Sequence, residues 1–129
     1  MFAYTILYVT DVSKAIEFYE KTFGLQRGFV TLENDYGELI TGTTKLAFAS
    51  IALADSNLTK GFQPSLPNDK PFGIELGFTT DDVENTLKKA VEAGGILYEA
   101  VKFKPWGQTV AFVQDLDGFL VEICTPIEG

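Results

Sequence analysis

Histidine is absent from all 129 residues of the chain, which excludes any metal site built on imidazole ligands, the 2-His-1-carboxylate iron site among them. There is one cysteine, Cys124, so no internal disulfide can form and nothing points to an oxidising compartment. Basic residues are scarce: 10 Lys and Arg stand against 18 Asp and Glu, a net charge of −8. That balance disfavours nucleic acid and anionic membrane surfaces, and it favours neutral or cationic ligands. The start of the chain has no basic segment ahead of an apolar core, and Asp11 interrupts its apolar run early, so neither a signal peptide nor a membrane span is read. The expectation is a cytoplasmic protein without nucleic-acid or membrane partners.

What the chain does have is a plan stated twice. Asp11-Val12 opens a stretch in which Val12, Ala15, Ile16, Tyr19 and Phe23 recur at helical spacing, and Gly24 supplies its stop. Asp82-Val83 opens another that ends at Gly94-Gly95, and both start and stop repeat at an offset of 71 residues (82 − 11, 95 − 24). A β-branched and aromatic strand precedes each helix, at 3–9 and at 72–79. Three strands are predicted after each: Gly28–Leu32, Gly37–Thr41 and Lys45–Ile51 in the first copy, then 96–103, 109–114 and 119–124 in the second. Asn34-Asp35 and Asp117-Gly118 are the turn signals, and Asp81 with Glu84 resembles a capping box. The segment 55–71 holds three of the five prolines and reads as a linker. The expected fold is α+β: two tandem βαβββ modules, about 1–54 and 72–129, in one domain whose curved mixed sheet surrounds a cavity.

Alternation along the strands divides their faces. Leu7 and Val9 are expected against the first helix, with Tyr4, Ile6 and Tyr8 turned to the cavity. In the second copy Ile74, Leu76 and Phe78 are expected to pack, leaving Glu75, Gly77 and Thr79 on the open side. The last strand splits Phe119, Val121 and Ile123 from Leu120, Glu122 and Cys124. Glu75 and Glu122 thus stand inside otherwise apolar strands, where a carboxylate needs water, a hydrogen bond or a cation. Gly73 and Gly77 keep space open beside Glu75. Phe18 and Tyr19 are read as helix-face packing, and Cys124 as a small buried filler.

The run from Trp106 to Ile123 (WGQTVAFVQDLDGFLVEI) resembles the closing signature of the vicinal oxygen chelate superfamily, which includes glyoxalase I, bleomycin-resistance and extradiol dioxygenase proteins. The opening Tyr4–Val12 (YTILYVTDV), with Phe18-Tyr19 and Phe23-Gly24-Leu25, resembles the first module of the same family. In its metal-dependent members the ligands come from the first and last strands of each module, as His or Gln, Glu, His or Gln, Glu. Carried over by motif, those positions are Tyr4, Phe48, Glu75 and Glu122, the Phe48 position resting on the match of Leu46-Ala47-Phe48 to Leu120-Val121-Glu122. Only Glu122 keeps the usual residue. Gln26, Gln63, Gln108 and Gln114 fall off the ligand positions, and the absence of histidine rules out the extradiol dioxygenase and fosfomycin-type sites.

The resemblance then implies a metal-free, non-catalytic homodimer of the bleomycin-resistance type that binds cationic or aromatic drug-like molecules. Its site would be lined by Tyr4, Tyr8, Phe48, Glu75, Trp106 and Glu122, with the Trp106 indole free to stack on a ring or a cation. No cofactor is expected; a divalent cation on Glu75 and Glu122 is the minority reading. The rival is a lyase or isomerase like lactoylglutathione lyase, in which Glu122 or Glu75 is a metal ligand or a general base.

Overall fold

A computed structural model of the chain describes residues 1–127. The elements run β1 (Tyr4–Val9), α1 (Val12–Phe23), β2 (Gln26–Val30), β3 (Tyr36–Ile40), β4 (Lys45–Ser50), α2 (Ile51–Asn57), β5 (Glu75–Thr79), α3 (Val83–Glu92), β6 (Ile96–Phe103), β7 (Thr109–Gln114) and β8 (Leu120–Cys124). Both βαβββ modules are present. Hydrogen bonding divides the strands into two four-stranded mixed sheets, ordered β1-β4-β3-β2 and β5-β8-β7-β6, neither closed into a barrel.

The repeat is physical at the helix starts. Asp11 accepts the Lys14 N–H at 3.1 Å and Asp82 accepts the Asn85 N–H at 3.0 Å, so equivalent carboxylates cap α1 and α3. The cap of α3 is therefore Asp82 and not the expected Asp81. α1 stops where Gly24 takes φ 69°, a left-handed conformation that favours glycine.

The helix-facing sides of both sheets share one core. Leu7, Val9 and Leu39 of the first sheet join Ala111, Val113, Val121 and Ile123 of the second, with α1 and α3 in contact between them. Tyr19 is its hub: its ring lies 5.6 Å from both Phe48 and Phe78, and Phe23 stacks on Phe78 at 4.3 Å. Sharing one core leaves the opposite faces of the sheets open in the chain, with Glu75, Gly77 and Thr79 exposed and Tyr4 53% exposed. Ile74, expected to pack on α3, precedes β5 and is exposed instead.

The segment after β4 differs from the expected linker. Ile51–Asn57 is a short helix whose N-cap Ser50 accepts the Leu53 N–H at 3.1 Å. The strap that follows, residues 58–71, crosses to the second module. A Cβ on Gly118 (φ 90°) would lie 2.1 Å from the Leu66 carbonyl oxygen, so this close approach requires glycine. Gln114 Nε2 donates to the Asp69 carbonyl at 2.9 Å and fastens the same segment. Among the described residues no helix is long and apolar enough to cross a membrane.

Candidate functional site

The parallel register of β5 with β8 sets Gly77 beside Glu122, Thr79 beside Cys124 and Glu75 beside Leu120. Partners in register share a face, so these six residues form the open side of module 2, as strand alternation predicts. Phe112 on β7 pairs with Glu122 and extends the face toward β6. There Phe112, Val110, Lys104 and Glu99 bound a depression of about 270 Å³. Gly77 adjoins Glu122: a Cβ on Gly77 would meet Glu122 Oε1 at 3.7 Å, in ordinary contact, so a longer side chain there would reach the carboxylate.

Burial pushes the Glu122 carboxyl above its ordinary value and the charge of Glu75 pushes it further, while Lys104 pulls it down. Burial, then the charges of Glu122 and Glu75, raise the Cys124 thiol likewise, which suits an inert filler and not a nucleophile. The ion pairs among the described residues are Lys21–Glu17, Arg27–Glu20, Lys45–Glu38 and Lys102–Glu99, so neither Glu75 nor Glu122 is bridged.

Module 1 corrects the expectation for Phe48. In the parallel register of β1 with β4, Leu7 pairs with Phe48 and Ile6 with Ala47. Phe48 therefore shares the helix-facing side with Leu7; it is 0% exposed and packs on Tyr19. Ile6 is the repeat equivalent of Gly77, so the residue equivalent to Glu122 is Ala47. The offset has grown from 71 at the first strands to 75 at the last (122 − 47), and a slip of one residue moves a side chain to the other face. The carboxylate that does reach the open side of module 1 is Glu38, which pairs with Ala47 on β3. It is neutralised locally: Tyr36 Oη donates to it at 2.8 Å and Lys45 Nζ lies 3.4 Å away. Burial, reinforced by that hydrogen bond, raises the Tyr36 phenol to about 12.

The remaining expected residues do not converge on one point. Tyr4 stands at the rim of module 1 opposite Lys45. Tyr8 faces a separate pocket under the strap, against Phe62. Trp106 lies in the β6–β7 loop, 64% exposed, beside Asp81, Thr125 and Ile127. Its indole N–H donates to Gln108 Oε1 at 2.7 Å, and Gln108 Nε2 donates to the Thr125 carbonyl at 2.8 Å, so the ring is held although exposed. Lys104 lies 6.0 Å above that ring, linking Trp106 electrostatically to the Glu122 face.

A divalent metal does not fit the donor set. The four positions supply a phenol (Tyr4), a methyl group (Ala47) and two carboxylates. Among the described residues no group of three or more His, Cys, Asp or Glu is arranged to hold an ion.

A buried network absent from the sequence reading joins the modules. Tyr19 Oη on α1 donates to Asp115 Oδ2 at 2.6 Å, and Asp115 also accepts the N–H groups of Asp117 and Phe119. Asp117 in turn accepts the backbone N–H and the hydroxyl of Thr10. Burial raises the Asp115 carboxyl to about 6 despite these donors, and burial with the charge of Asp115 raises the Tyr19 phenol strongly. The turn Asp117-Gly118 was legible; its partner Thr10, 107 residues away, and the partner of Asp115, Tyr19, 96 residues away, were not.

The family profile of the glyoxalase-like domain matches residues 2–128. Among solved structures, a glyoxalase-related enzyme from Fulvimarina pelagi superposes with a TM-score of 0.81 at 20% identity, covering 98% of this chain and 88% of that one. A glyoxalase/bleomycin resistance protein/dioxygenase family enzyme from Burkholderia phytofirmans PsJN gives 0.79 at 18% identity, over 96% and 97%. A superfamily member from Sphaerobacter thermophilus gives 0.70 at 22% identity, over 98% and 97%. No curated protein matches the chain in sequence. With two βαβββ modules spanning that match, the chain belongs to the glyoxalase-like domain family, within the vicinal oxygen chelate superfamily.

Proposed function

We propose that the chain binds a small cationic, amine-bearing organic molecule without a resident metal, on the open face of module 2. The observation that carries this reading is the pair Glu122 and Glu75, which share one face, act on each other electrostatically and have no bridging cation. An ammonium group placed between them relieves that repulsion, and Phe112 offers the ligand an apolar contact. The net charge of −8 steers a cation toward it. Calorimetric titration with benzylamine, and with benzyl alcohol as the neutral control, tests this. Benzylamine is expected to bind and benzyl alcohol to bind at least about ten-fold more weakly, with Glu122→Gln removing the preference. Equal binding of the two overturns it.

The raised Glu122 carboxyl also suits a general base, which is what supports the lyase or isomerase reading. Turnover of the methylglyoxal–glutathione hemithioacetal by chelator-treated protein, lost in Glu122→Gln, would establish the enzyme in place of the binder. We further propose a homodimer, since the edge strand β6 exposes the large apolar side chains Leu97, Tyr98 and Phe103; sedimentation equilibrium at twice the 14.2 kDa chain mass is the expected result.

A further inference from the structure

The strap overhangs a half-open pocket that the acidic face does not use. Residues 62–65 pass over the open side of β1, where Ile6 and Tyr8 point, and Phe72 with Phe119, just ahead of β8, completes the lining. The Phe62 ring meets Tyr8 edge-on, with centroids 4.9 Å apart and planes at 64°. The pocket is built and not a chance gap under a loose loop. Ser65 is buried, Leu66 packs onto Gly118, and Gln114 holds Asp69.

Three properties define what it takes. Its volume is about 230 Å³, against about 150 Å³ for a protein cavity that takes up benzene, so one substituted ring fits and a large polycycle does not. Its aromatic walls, Tyr8, Phe62, Phe72 and Phe119, favour edge-on and offset contacts with another ring. No charged residue lines it, in contrast to the Glu75–Glu122 face. Tyr8 and Ser65 each contribute a hydroxyl-bearing side chain to its lining.

We propose that this is a second binding site, for a neutral aromatic ring bearing a hydroxyl group, with Tyr8 and Ser65 as the hydrogen-bonding partners. A phenol offers one donor and one acceptor, which two hydroxyls can satisfy together. The site does not depend on the amine-binding face, so the two stand or fall separately.

Amide chemical shifts of the 14.2 kDa protein, titrated with p-cresol and with toluene, test it. Saturable shifts confined to residues 6–8, 62–65, 72 and 119 are expected, with p-cresol the tighter ligand. Tyr8→Phe keeps the ring that packs on Phe62, so the fold is retained; it is expected to weaken p-cresol about five-fold and leave toluene unchanged. Ser65→Ala is expected to act in the same direction, and Glu122→Gln to change neither ligand. Unsaturable or scattered shifts, p-cresol affinity unmoved in both Tyr8→Phe and Ser65→Ala, or loss of p-cresol in Glu122→Gln would each overturn the proposal.

Discussion

Module 1 and module 2 differ most where their inner strands meet on the open side. In module 1 the pair is Ile6 with Ala47, a large residue on the first strand and a small one on the last. In module 2 the pair is Gly77 with Glu122, the order of sizes reversed. Roughly the same space is filled from opposite strands, and a methyl group has become a carboxylate. The other carboxylates sharpen the contrast. Glu38 in module 1 has an ammonium and a phenol on it, whereas Glu122 has only another carboxylate close by and Lys104 at longer range. One backbone plan therefore carries a neutralised face and a charged one, and the charged one is where ligand binding is proposed.

The strongest way to break this comparison is to show that module 1 has a ligand-facing aromatic at Phe48. Phe48→Ala is instead expected to destabilise the protein by about 3–5 kcal/mol, the range for an aromatic removed from a packed core. Urea denaturation checks it, with benzylamine affinity unchanged in the protein that remains folded.

The joint between the modules comes next. The Asp115 carboxyl titrates near 6 when folded, above its usual 3.8. Its contribution to stability is thus fully present below about pH 3.8 and is lost as pH rises through about 6. Asp115→Asn keeps an acceptor for the Asp117 and Phe119 N–H groups, turns an amide donor toward the Tyr19 oxygen, and removes that slope. Compared with wild type, the variant's stability loss between pH 4 and pH 7 should shrink by on the order of 1–3 kcal/mol.

Gly77→Ile copies the module 1 residue into module 2. The new side chain crowds Glu122, so benzylamine affinity is expected to fall at least about ten-fold in calorimetry. Stability should stay within about 0.5 kcal/mol of wild type, as for most exposed substitutions. The smallest effect belongs to Lys45→Met, which strips Glu38 of its ammonium. A half-exposed ion pair contributes about 0–1 kcal/mol, so thermal unfolding should hardly move, while module 1 gains a weak site for the amine.

Much of this frame was legible in the sequence, and the misses have physical causes. The helix starts Asp11-Val12 and Asp82-Val83 recur because a carboxylate satisfies free N–H groups there, although the α3 cap was read one residue early at Asp81, and the strict alternation of β8 showed which side Glu122 takes. β4 does not alternate: Leu46 to Ala49 is apolar throughout and buried on both faces, so its phase could not be read and Phe48 was assigned to the wrong side. Ile51–Ala54 continues that apolar run, which hid α2 behind the end of the strand. The Tyr19–Asp115 hydrogen bond and the pocket under the strap depend on tertiary contacts between distant segments, and no local pattern announces them. Glu38 was overlooked because its position on the open face follows from pairing with Ala47, not from its own neighbours.

The unneutralised carboxylate pair of module 2 is most directly tested by titrating side-chain carboxyl carbons by NMR, with and without saturating benzylamine. Glu122 is expected to titrate above the ordinary 4.5 and to move down when the amine binds. A Glu122 midpoint at or below 4.5 that the amine leaves unmoved would contradict the account.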